Sequence, residues 1–313
     1  MNKITIIGSG SVGSTIAYTL TVMGIATDIV MIDINGEKAE GEALDIRQGV
    51  PFCSPVNVYS GSYEDADNSD IVIITSGVAR KPGQSRLDLA QVNINMLRTI
   101  TPQIVKHAPK AKYIIVSNPV DILTYAFYKY SGLPEAQIIG SGTILDTSRL
   151  RARISEYYSV NQKNVHAYVL GEHGDTSFVP WSIANISNVP VTEFGNRVSG
   201  NMVYPEFNKS EVEEYVHRSG GWVIQRKGAT FYAVSISVCH LCKCLLAGTD
   251  TTVTVSTMLH GEYGIYNVCL SLLNVVGAEG AHSKVILPLN DREIAALHKS
   301  AENLKAVIKG IEF

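Results

Sequence analysis

Gly171-Glu172-His173-Gly174-Asp175 sets an imidazole between glycines in a short polar stretch, and two other segments carry groups that an imidazole needs to act on a carbonyl. Leu145-Asp146-Thr147-Ser148-Arg149 lies about one helix earlier and supplies a carboxylate and a guanidinium, and Arg86 adds a second guanidinium upstream. A histidine kept protonated by an aspartate gives its proton to a carbonyl oxygen as hydride reaches the carbon, while fixed cations hold the carboxylate and polarise the carbonyl of a 2-keto acid. His173 is therefore the candidate acid–base group and Asp146 its partner. A plainer reading stands beside this one: Asp146 and Arg149 are three apart on one helical face and are able to form nothing more than an ion pair. The chemical reading needs them to diverge, Asp146 toward His173 and Arg149 toward a carboxylate.

A hydride donor has its own signature near the start of the chain. Gly8-Ser9-Gly10-Ser11-Val12-Gly13 follows a β-type run at 4–7 and opens a helical pattern that reaches about Met23. The first glycine permits a tight turn, the second lets the backbone approach a pyrophosphate, and the third allows close helix–sheet packing, with the helix N-terminus facing the anion. Asp33 ends the second β-type run about 20 residues later, where a carboxylate binds the adenosine ribose diol and repels a 2'-phosphate; the pattern predicts NAD rather than NADP. An ordinary glycine turn followed by a helix-capping aspartate is the alternative.

These groups need a scaffold. The first half alternates short, almost wholly apolar runs at 4–7, 29–32, 56–59, 71–74, 113–116 and 137–139 with helical periodicity, which predicts a doubly wound α/β sheet of parallel strands buried on both faces. From about Thr143 the pattern becomes mixed α+β: a helix over 144–158, a strand at 165–170, a charged helix over 209–226 and another helix over 229–246. Antiparallel-type runs follow at 252–258, 264–270 and 284–287, and then a last helix over 291–309. The division falls at 1–142 and 143–313, with no Pro-, Gly- or Ser-rich linker, so the halves should pack tightly.

Composition narrows the function. A chain of 313 residues that is 45% hydrophobic with a net charge of −3 has ample core and no basic surface to attract nucleic acid or anionic membrane. No apolar run reaches membrane-spanning length and no export signal precedes the first strand, so a cytoplasmic location is expected. The five cysteines are then reduced thiols. Cys239, Cys242 and Cys244 sit in a helical apolar pattern without a second ligand pair, which favours core thiols over a metal site.

Two loops complete the candidate set. The stretch 76–86, with Arg80 and Arg86, follows the fourth strand at the sheet's carboxyl edge and has the irregularity of a lid or of an ordinary solvated basic loop. Ser117-Asn118-Pro119-Val120-Asp121 ends the fifth strand, where Asn118 is able either to hydrogen-bond a substrate or to cap the next helix.

Taken in order, GSGSVG, Asp33, the KPGQSRLDL loop, SNPVD, GTILDTSRLR, GEHGD and KGAT resemble the L-lactate dehydrogenases of the lactate and malate dehydrogenase superfamily over essentially the full length. The resemblance implies a Rossmann-type cofactor domain followed by a catalytic domain, NAD as cofactor, and a homotetramer reducing pyruvate. It makes His173 the acid–base residue, Asp146 its orienting partner and Arg149 the clamp on the substrate carboxylate. It also makes Arg86 the lid arginine that polarises the carbonyl, Asn118 the residue that orients it and Thr230 the one that crowds its methyl end. Gly8, Gly10, Ser11, Val12, Gly13, Asp33 and Asn118 are implied to touch the cofactor. Arg80 departs from the lactate pattern, for malate-type members carry an arginine there that pairs with the second carboxylate of oxaloacetate. Arg151 and His166 resemble the pair with which many bacterial members bind fructose 1,6-bisphosphate between subunits. The rival readings are a malate dehydrogenase and a non-catalytic NAD-binding sensor; the latter predicts loss of one of His173, Asp146, Arg149 or Arg86, and all four are present.

Overall fold

The computed structural model describes residues 2–78, 86–199 and 203–313, with the side chain of Arg86 also outside the description. Six parallel strands form the first half: β1 (Lys3–Ile7), β2 (Asp28–Ile32), β3 (Asn57–Ser60), β4 (Ile71–Ile74), β5 (Lys112–Ile115) and β6 (Ile138–Gly140). Their spatial order, β6-β5-β4-β1-β2-β3, makes the doubly wound sheet expected from the apolar runs. Side chains alternate across it. Ile71 and Ile73 of β4 enter one core cluster with Ile4, Ile6, Ile29 and Ile114, whereas Val72 and Ile74 enter the other with Ile7, Val30 and Ile115. Helices α1 (Ser11–Met23), α2 (Gly36–Gly49), α3 (Arg86–His107) and α4 (Val120–Ser131) connect the strands. Because β1 is flanked by β2 on one side and β4 on the other, the chain leaves the carboxyl ends of β1 and β4 in opposite directions and opens a crevice there.

The second half begins with α5 (Ile144–Tyr158), followed by a small antiparallel sheet of β7 (Val165–His166), β8 (Asn185–Ile186) and β9 (Val189–Pro190). Then come α6 (Phe194–Arg197), α7 (Lys209–Lys227), α8 (Tyr232–Leu245), β10 (Thr251–His260), β11 (Tyr266–Gly277), β12 (Gly280–Lys284) and α9 (Asp291–Ile308). The last three strands do not form a sheet of their own. β10 pairs antiparallel with β6 through Ser256 and Gly140, so nine strands among the described residues make one sheet.

Three expectations need correction. The run 165–170 is a strand only at Val165–His166, after which Leu170 and Gly171 make single bridges to Phe178 and Ser271. The final strand is 280–284, not 284–287: Gly280-Ala281-His282-Ser283-Lys284 is a polar edge strand without the apolar pattern that marks a buried one, and Ile286 is exposed. The helix read from 229 starts at Tyr232, because residues 228–231 turn the chain between α7 and α8, with Gly228 at φ 84°. Among the described residues no helix is long and apolar enough to cross a membrane. Cys239, Cys242 and Cys244 are buried in the core on α8, and burial pushes the Cys239 thiol up to about 12.

Candidate active site

The crevice is shaped first by the turn after β1. Gly8 has φ +105°, and a Cβ on Gly13 would lie 1.8 Å from the carbonyl oxygen of Gly8, so only glycine lets α1 start this close to the strand. At Gly10, the N-cap of α1, a Cβ would meet nothing within 4 Å, and no side chain caps the helix. Among the described residues nothing stands beside Gly10 at the start of α1, where a pyrophosphate would approach. Asp33 ties the turn to the end of β2, accepting from the backbone N–H of Ser9 (2.6 Å) and of Asn35 (2.9 Å), and its partly exposed carboxylate stands at the crevice edge. The turn, the open helix end and the acid fit a dinucleotide.

Two cavities adjoin at this crevice. One of about 170 Å3 is lined by Val12, Thr75, Gly77, Val78, Asn93, Val116, Ser117 and Asn118. The other, about 120 Å3, shares Val12, Val116 and Asn118 and adds Arg149, His173 and Thr230 among its walls. Residues separated by more than 200 positions thus meet at one site. Asn118 does not cap α4; its side chain is exposed and its carbonyl accepts from Asn93 Nδ2 (2.7 Å). The geometry removes the helix-capping alternative and leaves Asn118 as a wall of both cavities.

His173 projects from a loop bent by Gly171, which has φ +96° and exchanges two 3.0 Å backbone hydrogen bonds with Ser271 of β11. Its Nδ1 donates to Asp146 Oδ2 (2.6 Å), leaving Nε2 as the other ring nitrogen. The other oxygen of Asp146 accepts from Arg149 Nη1 at 2.7 Å. The two readings of this pair are therefore not exclusive: Asp146 and Arg149 do not diverge, and one carboxylate serves both neighbours. Gly220 on α7 faces the guanidinium, and a Cβ there would stand in ordinary contact with it, 3.4 Å from Arg149 Nη2.

Electrostatics follow from this packing. The Asp146 carboxylate raises the pKa of His173 above the usual imidazole value, against the opposing effect of burial. Burial alone would raise the pKa of Asp146, but the charge and hydrogen bond of His173, joined by those of Arg149, hold it below the usual carboxylate range. Both shifts favour the imidazolium and carboxylate forms of the pair.

Sequence reasoning missed what lies behind this pair. Asp121, 2% exposed in the first turn of α4, accepts from the backbone N–H of His173 (2.8 Å) and from Ser256 Oγ of β10 (2.6 Å). Glu172, fully buried, accepts from Asn303 Nδ2 of α9 at 3.0 Å. The available signal was a charge inside the apolar stretch Val120-Asp121-Ile122-Leu123.

Other candidates fall elsewhere. Arg80 lies outside the described residues, and Arg86 is described only as the start of α3. Arg151 donates from Nε to the Ala167 carbonyl (3.1 Å), sits over the Tyr168 ring and faces a separate cavity of about 650 Å3 with Lys163 and His240. His166 is exposed on β7, next to the Ala167 whose carbonyl Arg151 binds, and is not among that cavity's walls.

Residues 2–140 match the NAD binding domain of lactate/malate dehydrogenase, and residues 143–313 match the alpha/beta C-terminal domain of lactate/malate dehydrogenase. The chain belongs to the lactate/malate dehydrogenase family. Within it, the chain is 47% identical over 312 residues to an L-lactate dehydrogenase of Thermoanaerobacter sp., covering 100% of both chains. It is 46% identical over 303 residues to an L-lactate dehydrogenase of Clostridium botulinum, covering 97% of this chain and 95% of that one. The crystal structure of the minor L-lactate dehydrogenase from Enterococcus mundtii superposes with a TM-score of 0.94 at 35% identity, covering 100% and 99% of the two chains. This lactate/malate dehydrogenase family member is an NAD-dependent 2-hydroxy acid dehydrogenase, with its cofactor domain in the first half.

Proposed function

We propose that this dehydrogenase interconverts pyruvate and L-lactate, with His173 as its acid–base residue. The observation that carries the reading is the Asp146 carboxylate shared by His173 and Arg149 beside a cavity that adjoins the dinucleotide crevice through Val12 and Asn118. NADH, when bound, supplies the hydride. Gly8, Gly10, Ser11, Val12 and Gly13 would hold the pyrophosphate, and Asp33 the adenosine ribose. Arg149 grips the substrate carboxylate, Asn118 and Arg86 orient and polarise the keto oxygen, and Thr230 limits the room at the methyl end. His173 Nε2 gives its proton to the keto oxygen, and Asp146 stabilises the charged ring until that transfer. In the reverse direction the neutral ring takes the hydroxyl proton. We keep 1–142 as the cofactor domain and 143–313 as the substrate domain.

Absorbance of NADH with pyruvate tests the reading directly. Turnover should be abolished by His173→Ala while NADH still binds; a variant that retains turnover removes His173 from the mechanism.

Arg80 belongs to the same proposal. Beside a methyl group its guanidinium has no partner, whereas the second carboxylate of oxaloacetate gives it a charge-assisted fork, so oxaloacetate is admitted as well. Arg80→Gln should move the ratio of kcat/KM values toward pyruvate by roughly tenfold or more; an unchanged ratio removes Arg80 from the specificity account.

We further infer a cytoplasmic homotetramer, in which Arg151 and His166 from adjoining subunits bind fructose 1,6-bisphosphate. Light scattering reads the assembly. Activity titrated with the bisphosphate at mildly acid pH reads the regulation.

A further inference from the structure

Asp121 takes no part in the chemistry outlined above, yet it ties the loop that carries His173, a wall of the cavity, to α4 and β10 behind it. It lies three residues after Asn118, in the first turn of α4. Its Oδ2 accepts the backbone N–H of His173, and its Oδ1 accepts Ser256 Oγ from the middle of β10, opposite Gly140 of β6. A buried carboxylate with two hydrogen-bond donors among the described residues is poorly compensated for the loss of water. A neutral or apolar residue of similar size would pack here with less penalty, so stability does not explain the charge.

We propose that Asp121 is a positioning residue for the acid–base histidine, anchoring the main chain of His173 to α4 and β10 and supplying a second negative charge behind the ring. This rests on the reading of His173 as the acid–base residue.

The charges around the two groups support the assignment. His173 is faced by Asp146 and Arg149 from α5 and by Asp121 from α4; both carboxylates favour the protonated ring and Arg149 opposes it. Asp121 is faced by His173 and Glu172 from the loop, by Ser256 from β10 and by Cys269 from β11. Burial pushes its own carboxyl up to about 6, against the hydrogen bonds from Ser256 and His173. Above that value it is an anion and adds to the field of Asp146. The anchor also links Asn118 and His173, two walls of one cavity, through a single side chain.

Asp121→Asn separates charge from geometry. The amide oxygen still accepts from the His173 N–H, and Ser256 is able to turn its hydroxyl to accept from the amide nitrogen. Two readouts in the full-length enzyme are needed. The first is the pH dependence of diethyl pyrocarbonate modification at the His173 peptide, followed by mass spectrometry, which titrates the neutral ring without turnover. The second is the alkaline limb of kcat/KM for the keto acid. Both should move to lower pH by about one unit in Asp121→Asn. Ser256→Ala, which keeps the carboxyl but weakens its ionised form, should give a smaller movement in the same direction, and it decides the matter if Asp121→Asn does not fold. A modification profile that stays at the parent position in the folded variant overturns the proposal, whatever happens to kcat, because a purely structural role lowers activity without moving the titration. A modification profile that moves while the kinetic limb does not upholds the role of Asp121 and instead overturns His173 as the acid–base residue.

Discussion

His173 Nδ1 and Asp146 Oδ2 are 2.6 Å apart, and that contact places a proton on Nδ1 and favours the charged ring. Asp146→Asn should lower kcat for pyruvate reduction by roughly 10²–10⁴-fold. The sign of the accompanying pH effect follows from the cause. Asp146 raises the pKa of His173, so its removal lets the ring lose its proton at lower pH, and the alkaline limb of the reduction profile moves down. Steady-state NADH oxidation across mildly acid to alkaline pH checks this. A limb that remains where it was would assign the raised value to another group.

Arg149 is held by the same carboxylate, at 2.7 Å from Asp146 Oδ1, and faces Gly220 of α7. Lysine keeps the charge but loses the planar fork. Arg149→Lys should reduce kcat/KM for pyruvate by about 10²-fold, equivalent to the loss of a charge-assisted hydrogen bond, with most of the change in KM. Kinetics with and without the substitution decide it; an equal loss in kcat would mean that Arg149 acts on the transition state rather than in binding.

Much of this site is legible in the chain because its chemistry sits in short segments with fixed local geometry. A glycine turn after an apolar strand, an acid at the end of the next strand and a histidine between glycines each follow from backbone requirements that act over a few residues. Other features depend on contacts that no local pattern encodes. Asp121 and Ser256 are 135 positions apart and meet only because β10 pairs with β6. The divergence required of Asp146 and Arg149 came from treating each carboxylate as having one partner, whereas its two oxygens serve two. The polar edge strand 280–284 was missed since an edge needs no apolar pattern, and the apolar residues after it drew the assignment downstream.

The glycine turn makes two predictions that separate folding from cofactor binding. A methyl at residue 13 would overlap the Gly8 carbonyl oxygen, so Gly13→Ala should destabilise the protein by about 1–3 kcal/mol and weaken NADH binding as α1 is pushed off the turn. Gly10→Ala meets no atom of the described residues within 4 Å and should leave the thermal midpoint nearly unchanged, yet weaken NADH binding by standing where the pyrophosphate approaches. Thermal unfolding without cofactor and fluorescence titration with NADH distinguish the two. Normal NADH affinity in Gly10→Ala would place the pyrophosphate elsewhere.

The buried Asp121 predicts a gain in stability from a substitution that harms function. Its carboxyl is raised from 3.8 to about 6 in the fold, so between those values the folded protein holds a proton that the unfolded chain has released. A raised carboxyl penalises the fold above its folded pKa, and the penalty disappears as pH falls toward the unfolded value. At pH 7.5 the ionised group opposes folding by on the order of 3 kcal/mol, and near pH 4 by little. Asp121→Asn, if its amide keeps both hydrogen bonds, should therefore unfold at higher urea than the parent at pH 7.5, with the advantage shrinking steadily as the pH is lowered toward 4. The gain should be greatest under the conditions where the parent enzyme has the fully charged carboxylate behind His173. A variant less stable than its parent at pH 7.5 and no better at pH 4 would mean that the hydrogen-bond geometry, not the charge, dominates at this position.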